Sequence, residues 1–105
     1  MNIRNFKIED FGFCKQDYAN CIEYINSNAF SEVDMLLECC HKANKNTVIA
    51  DSIFYALINN LSLESIEMKK GTIPLNKVDF YAYRRLSVVF FMQKTEQWKV
   101  HTKEQ

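Results

Sequence analysis

The sequence predicts an α+β fold in which three N-terminal antiparallel helices pack on a small C-terminal antiparallel sheet, with an all-α chain as the alternative. Three observations carry that reading. Apolar residues recur at helical spacing as far as Leu61. Beyond Val78 they become dense, β-branched and aromatic, and they alternate. Two glycines and one proline in 105 residues leave too little turn material for a many-stranded sandwich. The length suits a single globular domain over residues 1–105, and 48% hydrophobic with 25% charged residues is globular usage.

The first helix is expected over about residues 10–26. Cys14, Tyr18, Cys21, Ile22 and Ile25 form its apolar stripe, and Asn26-Ser27-Asn28 stops it. Ser31 is expected to cap a second helix, with Asp34 three residues on to meet the free amides. Val33, Leu36, Leu37, Cys40 and Ala43 are its inward side, and Lys42 and Lys45 suit its negative dipole end. A third helix, capped by Asn46 or Thr47, turns Ile49, Ile53, Ala56, Leu57 and Leu61 inward and frays at Asn59-Asn60. Short connections make the three antiparallel neighbours.

Past Leu61 the period weakens. Ile66 and Met68 fit a short edge strand or a last helical turn, and residues 71–77, with Pro74, form a loop. Over residues 78–93 two templates compete. As a strand, Val78, Phe80, Ala82, Leu86, Val88, Phe90 and Met92 share one face. As a helix, Asn76 caps with Asp79 at the third position, and Val78, Ala82, Leu86 and Val89 align. The β-branched and aromatic content of residues 86–92 favours strand. Residues 93–97 then read as a turn, and Trp98-Lys99-Val100-His101 as a closing strand.

Thirteen Lys and Arg balance thirteen Asp and Glu, so no net field gathers nucleic acid or anionic lipid. The total hides an asymmetry: residues 1–60 carry a net −3 and residues 61–105 a net +3. Residues 1–7 lack the apolar run of a secretory signal, and no window approaches a membrane span. A soluble, cytoplasmic protein is expected. Frequent Asn, Lys and Ile fit an AT-rich coding sequence, bacterial or phage.

Catalytic chemistry finds little purchase. Cys14, Cys21, Cys39 and Cys40 lack the spacing of a structural zinc site and read as packed, reduced thiols. His41 adjoins Cys40, but successive helical residues do not face each other, and His101 is remote in sequence. Gly12 and Gly71 cannot make a phosphate cradle, and the carboxylate pairs Glu9-Asp10, Glu32/Asp34 and Glu64/Glu67 suit helix starts or a charged face. No enzyme activity, cofactor or metal is expected. The third helix contains no Lys or Arg, so it cannot read duplex DNA. The C-terminal half mixes cations and aromatics, which gives a second reading as a binder of single-stranded nucleic acid.

The expected contact residues are Tyr81, Tyr83, Arg84, Arg85 and Trp98. Tyrosine and arginine bury much area with few rotors, and a strand would put Tyr81, Tyr83 and Arg85 on one exposed face. Function by surface contact follows as the first expectation: a small protein-binding module, such as an immunity protein that inhibits a cognate toxin by occluding it, or a chain that self-associates. Residues 88–101, from Val88-Val89-Phe90-Phe91-Met92 to Trp98-Lys99-Val100-His101, resemble the last hairpin of nuclear transport factor 2-like cone domains. That resemblance implies a small-molecule pocket, a third reading. The family also places a strand between its early helices, where residues 39–47 show no strand pattern.

Overall fold

The computed structural model describes residues 3–95, 97 and 98, and among them it holds helices only. Two 3-10 turns, Ile3–Asn5 and Ile8–Phe11, precede five α-helices: α1 (Lys15–Ile25), α2 (Val33–Ala43), α3 (Thr47–Asn59), α4 (Leu63–Lys70) and α5 (Lys77–Thr95). The expected C-terminal sheet is not formed among the described residues; the all-α alternative is the fold.

Local chemistry sets the boundaries. Gly12, at φ 85°, ends the second 3-10 turn in the left-handed region, so α1 begins later than its apolar stripe implies. Asp17 Oδ2 accepts the Cys14 N–H at 2.9 Å and fixes that start, which leaves Cys14 at the helix entrance and not on the stripe. Ser31 does not cap α2. Glu32 precedes it, and the Glu32 carboxylate accepts the Tyr24 hydroxyl at 2.5 Å instead of an α2 amide. Asn46 caps α3, accepting the Ile49 N–H at 3.2 Å, and Asn60 ends it at φ 52°. Residues 66–68 lie inside α4, which Ser62 caps by accepting the Ser65 N–H at 3.2 Å.

The largest correction is α5. Its first turn forms as the helical template requires, with Asn76 Oδ1 accepting the Val78 N–H at 2.7 Å. Leu86, Ser87, Val88 and Val89 are all buried, and four successive helical residues, ~100° apart, face every quarter of the axis. A stretch buried all round has no polar stripe, so residues 86–89 show no 3.6-residue period and read like a core strand. Packing overrides the β-propensity of Val88, Val89, Phe90 and Phe91. α5 packs most extensively on α2, and also meets α1, α3 and both 3-10 turns. Phe80, Phe91 and Met92 are completely buried with Leu36 of α2 and Ile53 and Leu57 of α3. Trp98 follows α5 in a bend, its Nε1–H donating to Thr95 Oγ1 at 2.6 Å. The hairpin resemblance is lost because residues 88–95 are helical. Lys99, Val100 and His101 of the expected closing strand lie outside the described residues. Among the described residues no helix is long and apolar enough to cross a membrane.

Candidate functional site

The alternation that grouped Tyr81, Tyr83 and Arg85 on a strand is replaced by the helical period. Measured from Tyr81, Arg84 and Arg85 lie within about 60° on the α5 circumference, whereas Tyr83 is turned away by about 200°. The structure follows this geometry. Tyr81, Arg84 and Arg85 line one cleft of about 350 Å³ open to solvent, and Tyr18 and Ile22 of α1 form its other wall. Tyr18 and Ile22 are four residues apart and so share a face of α1. Tyr83 is not part of the cleft; it is half-buried against the core, and its carbonyl accepts the Ser87 hydroxyl at 2.8 Å. Trp98 is elsewhere. It hydrogen-bonds Thr95, which at 1.5 Å per residue lies ~21 Å along α5 from Tyr81, and its ring packs 5.8 Å from that of Tyr24.

Each cleft residue is held by its surroundings. The Tyr81 hydroxyl accepts the N–H of Leu63, the first residue of α4, at 3.1 Å. That amide is one of the donors a helix start leaves unmatched, so Tyr81 caps α4 from another helix. The Tyr81 ring meets Phe80 edge-on at 5.3 Å, and the Arg84 guanidinium lies 5.8 Å from its centroid, within cation–π reach. Arg84 Nε is buried and has no hydrogen-bond partner. Neither Arg84 nor Arg85 is ion-paired among the described residues, although Arg4, Lys77 and Lys94 are. Across the cleft, burial pushes the Tyr18 hydroxyl's pKa up, opposed by the positive charges of Arg84 and Arg85. Two arginines thus share a half-buried space with two tyrosines, and among the described residues no carboxylate pairs with either.

Tyr18 and Ile22 were not singled out as contact residues from sequence, because their spacing placed them on an inward stripe. An i, i+4 pair at the rim of that stripe was the available signal.

The remaining candidates are arranged for packing. Cys21, Cys39 and Cys40 are buried free thiols, and Cys14 is half-buried. Burial pushes the Cys21 and Cys40 thiols up to about 12, so neither supplies a thiolate at neutral pH. His41 turns to α3, its Nε2 2.8 Å from Asp51 Oδ1, and not to a cysteine. Among the described residues no three His, Cys, Asp or Glu side chains converge as a metal site would require. His101 lies outside the described residues. No family model matches this chain, and no curated protein or solved structure matches it significantly.

Proposed function

We propose that this protein works by binding another protein through the cleft between α1 and α5, and that binding occludes the surface it covers, as a dedicated inhibitor such as an immunity protein does to its toxin. The observation that carries this reading is the convergence of Tyr18, Tyr81, Arg84 and Arg85 around one solvent-open cleft, with both arginines free of any counter-charge among the described residues. Tyrosine and arginine are the residues that anchor interfaces, because they combine area, rigidity and a directed polar end. Arg84 is half-buried, and its buried Nε has no acceptor among the described residues, which leaves the side chain's hydrogen bonding incomplete in the free protein. The four free cysteines, three of them buried, fit a cytoplasmic site of action.

Tyr83 and Trp98 are not carried into this reading, since neither lines the cleft. Binding of nucleic acid is the weaker alternative. α3 carries no Lys or Arg, and two of the four cations of α5 are engaged, Lys77 with Glu64 at 3.0 Å and Lys94 with Glu38 at 3.9 Å. A polyanion needs a row of unengaged cations.

Site-specific photocrosslinking tests the proposal. p-Benzoylphenylalanine in place of Ile22 is expected to trap a discrete protein adduct in cells, whereas the same group in place of Val48, 60% exposed on α3, traps none. An adduct at position 48 with none at position 22 overturns the reading.

A further inference from the structure

The contents of the cleft specify more than a generic interface. An arginine fork is built to be matched by two acceptor oxygens, and a partly desolvated guanidinium is costly when unmatched. Here Arg84 leans on the Tyr81 ring, and its buried Nε has no acceptor among the described residues. Arg85 lines the same space from the next position of α5. Tyr18 faces both from α1, and Ile22 supplies an apolar surface beside them. The volume, about 350 Å³, lies at the small end of ligand pockets (roughly 300–1,000 Å³) and suits one or two side chains.

We propose, resting on the protein-binding reading above, that the cleft accepts an acidic side chain presented by the partner, with Arg84 and Arg85 pairing its carboxylate and the rings of Tyr18 and Tyr81, with Ile22, enclosing its aliphatic stem. A peptide carboxylate fits better than a nucleic acid strand. The net charge of the chain is zero, and on α5 the cations nearest each end are already paired, so Arg84 and Arg85 are the cations of that helix left for a ligand. One local pair of arginines matches one carboxylate group. It does not track a phosphate backbone.

Fluorescence anisotropy with two labelled peptides tests this. The probes are Glu-Glu-Leu-Glu-Glu and its uncharged counterpart Gln-Gln-Leu-Gln-Gln, with Arg84→Gln, Arg85→Gln and, at an exposed α4 position that does not line the cleft, Lys69→Gln, each variant checked for an unchanged thermal transition. The acidic peptide is expected to bind saturably and at least ten times more tightly than the glutamine peptide. Arg84→Gln and Arg85→Gln are each expected to weaken it about tenfold, and Lys69→Gln less than twofold. Equal binding of the two peptides, equal losses from all three variants, or tighter binding of a single-stranded oligonucleotide than of the acidic peptide overturns the proposal. If the crosslink at position 22 persists while the peptides show no acid preference, the carboxylate site fails and the protein-binding reading stands; if both vanish, both fail.

Discussion

Tyr81 and Tyr83 are two residues apart and chemically identical, yet the fold gives them unequal work, and removing one oxygen from each measures the difference. In Tyr81→Phe the ring keeps its edge-on contact with Phe80, but the Leu63 N–H at 3.1 Å loses its acceptor. Orphaning a buried donor costs ~1–3 kcal/mol. Leu63 is 5% exposed and its hydrogen bond only partly buried, so the lower end applies, about 1 kcal/mol. For a domain of this size that corresponds to a fall in Tm of roughly 4–8 °C. The Tyr83 hydroxyl makes no hydrogen bond among the described residues, so Tyr83→Phe should stay within about 0.5 kcal/mol of wild type. Calorimetry on both variants, with amide exchange at Leu63, reads the contrast. Exchange at Leu63 should quicken in Tyr81→Phe alone. Equal effects of the two substitutions would refute the helical register of α5, since a strand makes the two positions equivalent.

Two further outcomes follow from the same structure. With the Cys21 and Cys40 thiols pushed up to about 12 and Cys39 also raised by burial, an aromatic disulfide reagent at mild alkaline pH should modify Cys14 quickly and the other three only after unfolding; fast reaction of a second thiol in the native protein would contradict the packing. The Arg4 guanidinium, 2.6 Å from Asp79, holds that carboxyl below its ordinary value by hydrogen bonding. A carboxyl lowered on folding stabilises the native state above its unfolded pKa of ~3.9 and loses that contribution as the pH falls through the folded value. Asp79→Asn should therefore be less stable than wild type at about pH 6 and converge with it by about pH 2 in urea titrations.

The helices that present a polar face were legible in the sequence. Ile49, Ile53, Ala56 and Leu57 mark the buried side of α3, and Asn46 its cap, because one side of α3 meets solvent and imposes the 3.6-residue period. α5 was not legible as a helix for the opposite reason. Residues 86–89 are enclosed on every side and have no polar face to set a period, and the polar face of Tyr81, Arg84 and Arg85 is confined to the first half of the helix. The site inherited both outcomes. Tyr81, Arg84 and Arg85 were found through residue type, which survives a wrong secondary structure. Tyr83 entered and Tyr18 was missed because face membership depends on the period. Cys14 illustrates a smaller version: its spacing fits the α1 stripe, but Gly12 delays the helix and Asp17 draws the Cys14 amide into the cap.

The most direct test of the cleft as the binding surface compares two double variants that remove the same charge from different places. Arg84→Gln with Arg85→Gln empties the cleft of cations; Lys69→Gln with Lys70→Gln removes two from the exposed end of α4. Calorimetric titration of each, against the protein trapped by the crosslinker at position 22, gives two dissociation constants at equal net charge. Hot-spot truncation costs ~2 kcal/mol or more, so the arginine variant should bind at least about thirtyfold more weakly than wild type. The lysine variant should remain within about threefold, as exposed charges contribute little to affinity. Equal weakening by both, or wild-type affinity in the arginine variant, would contradict the assignment of binding to the α1–α5 cleft.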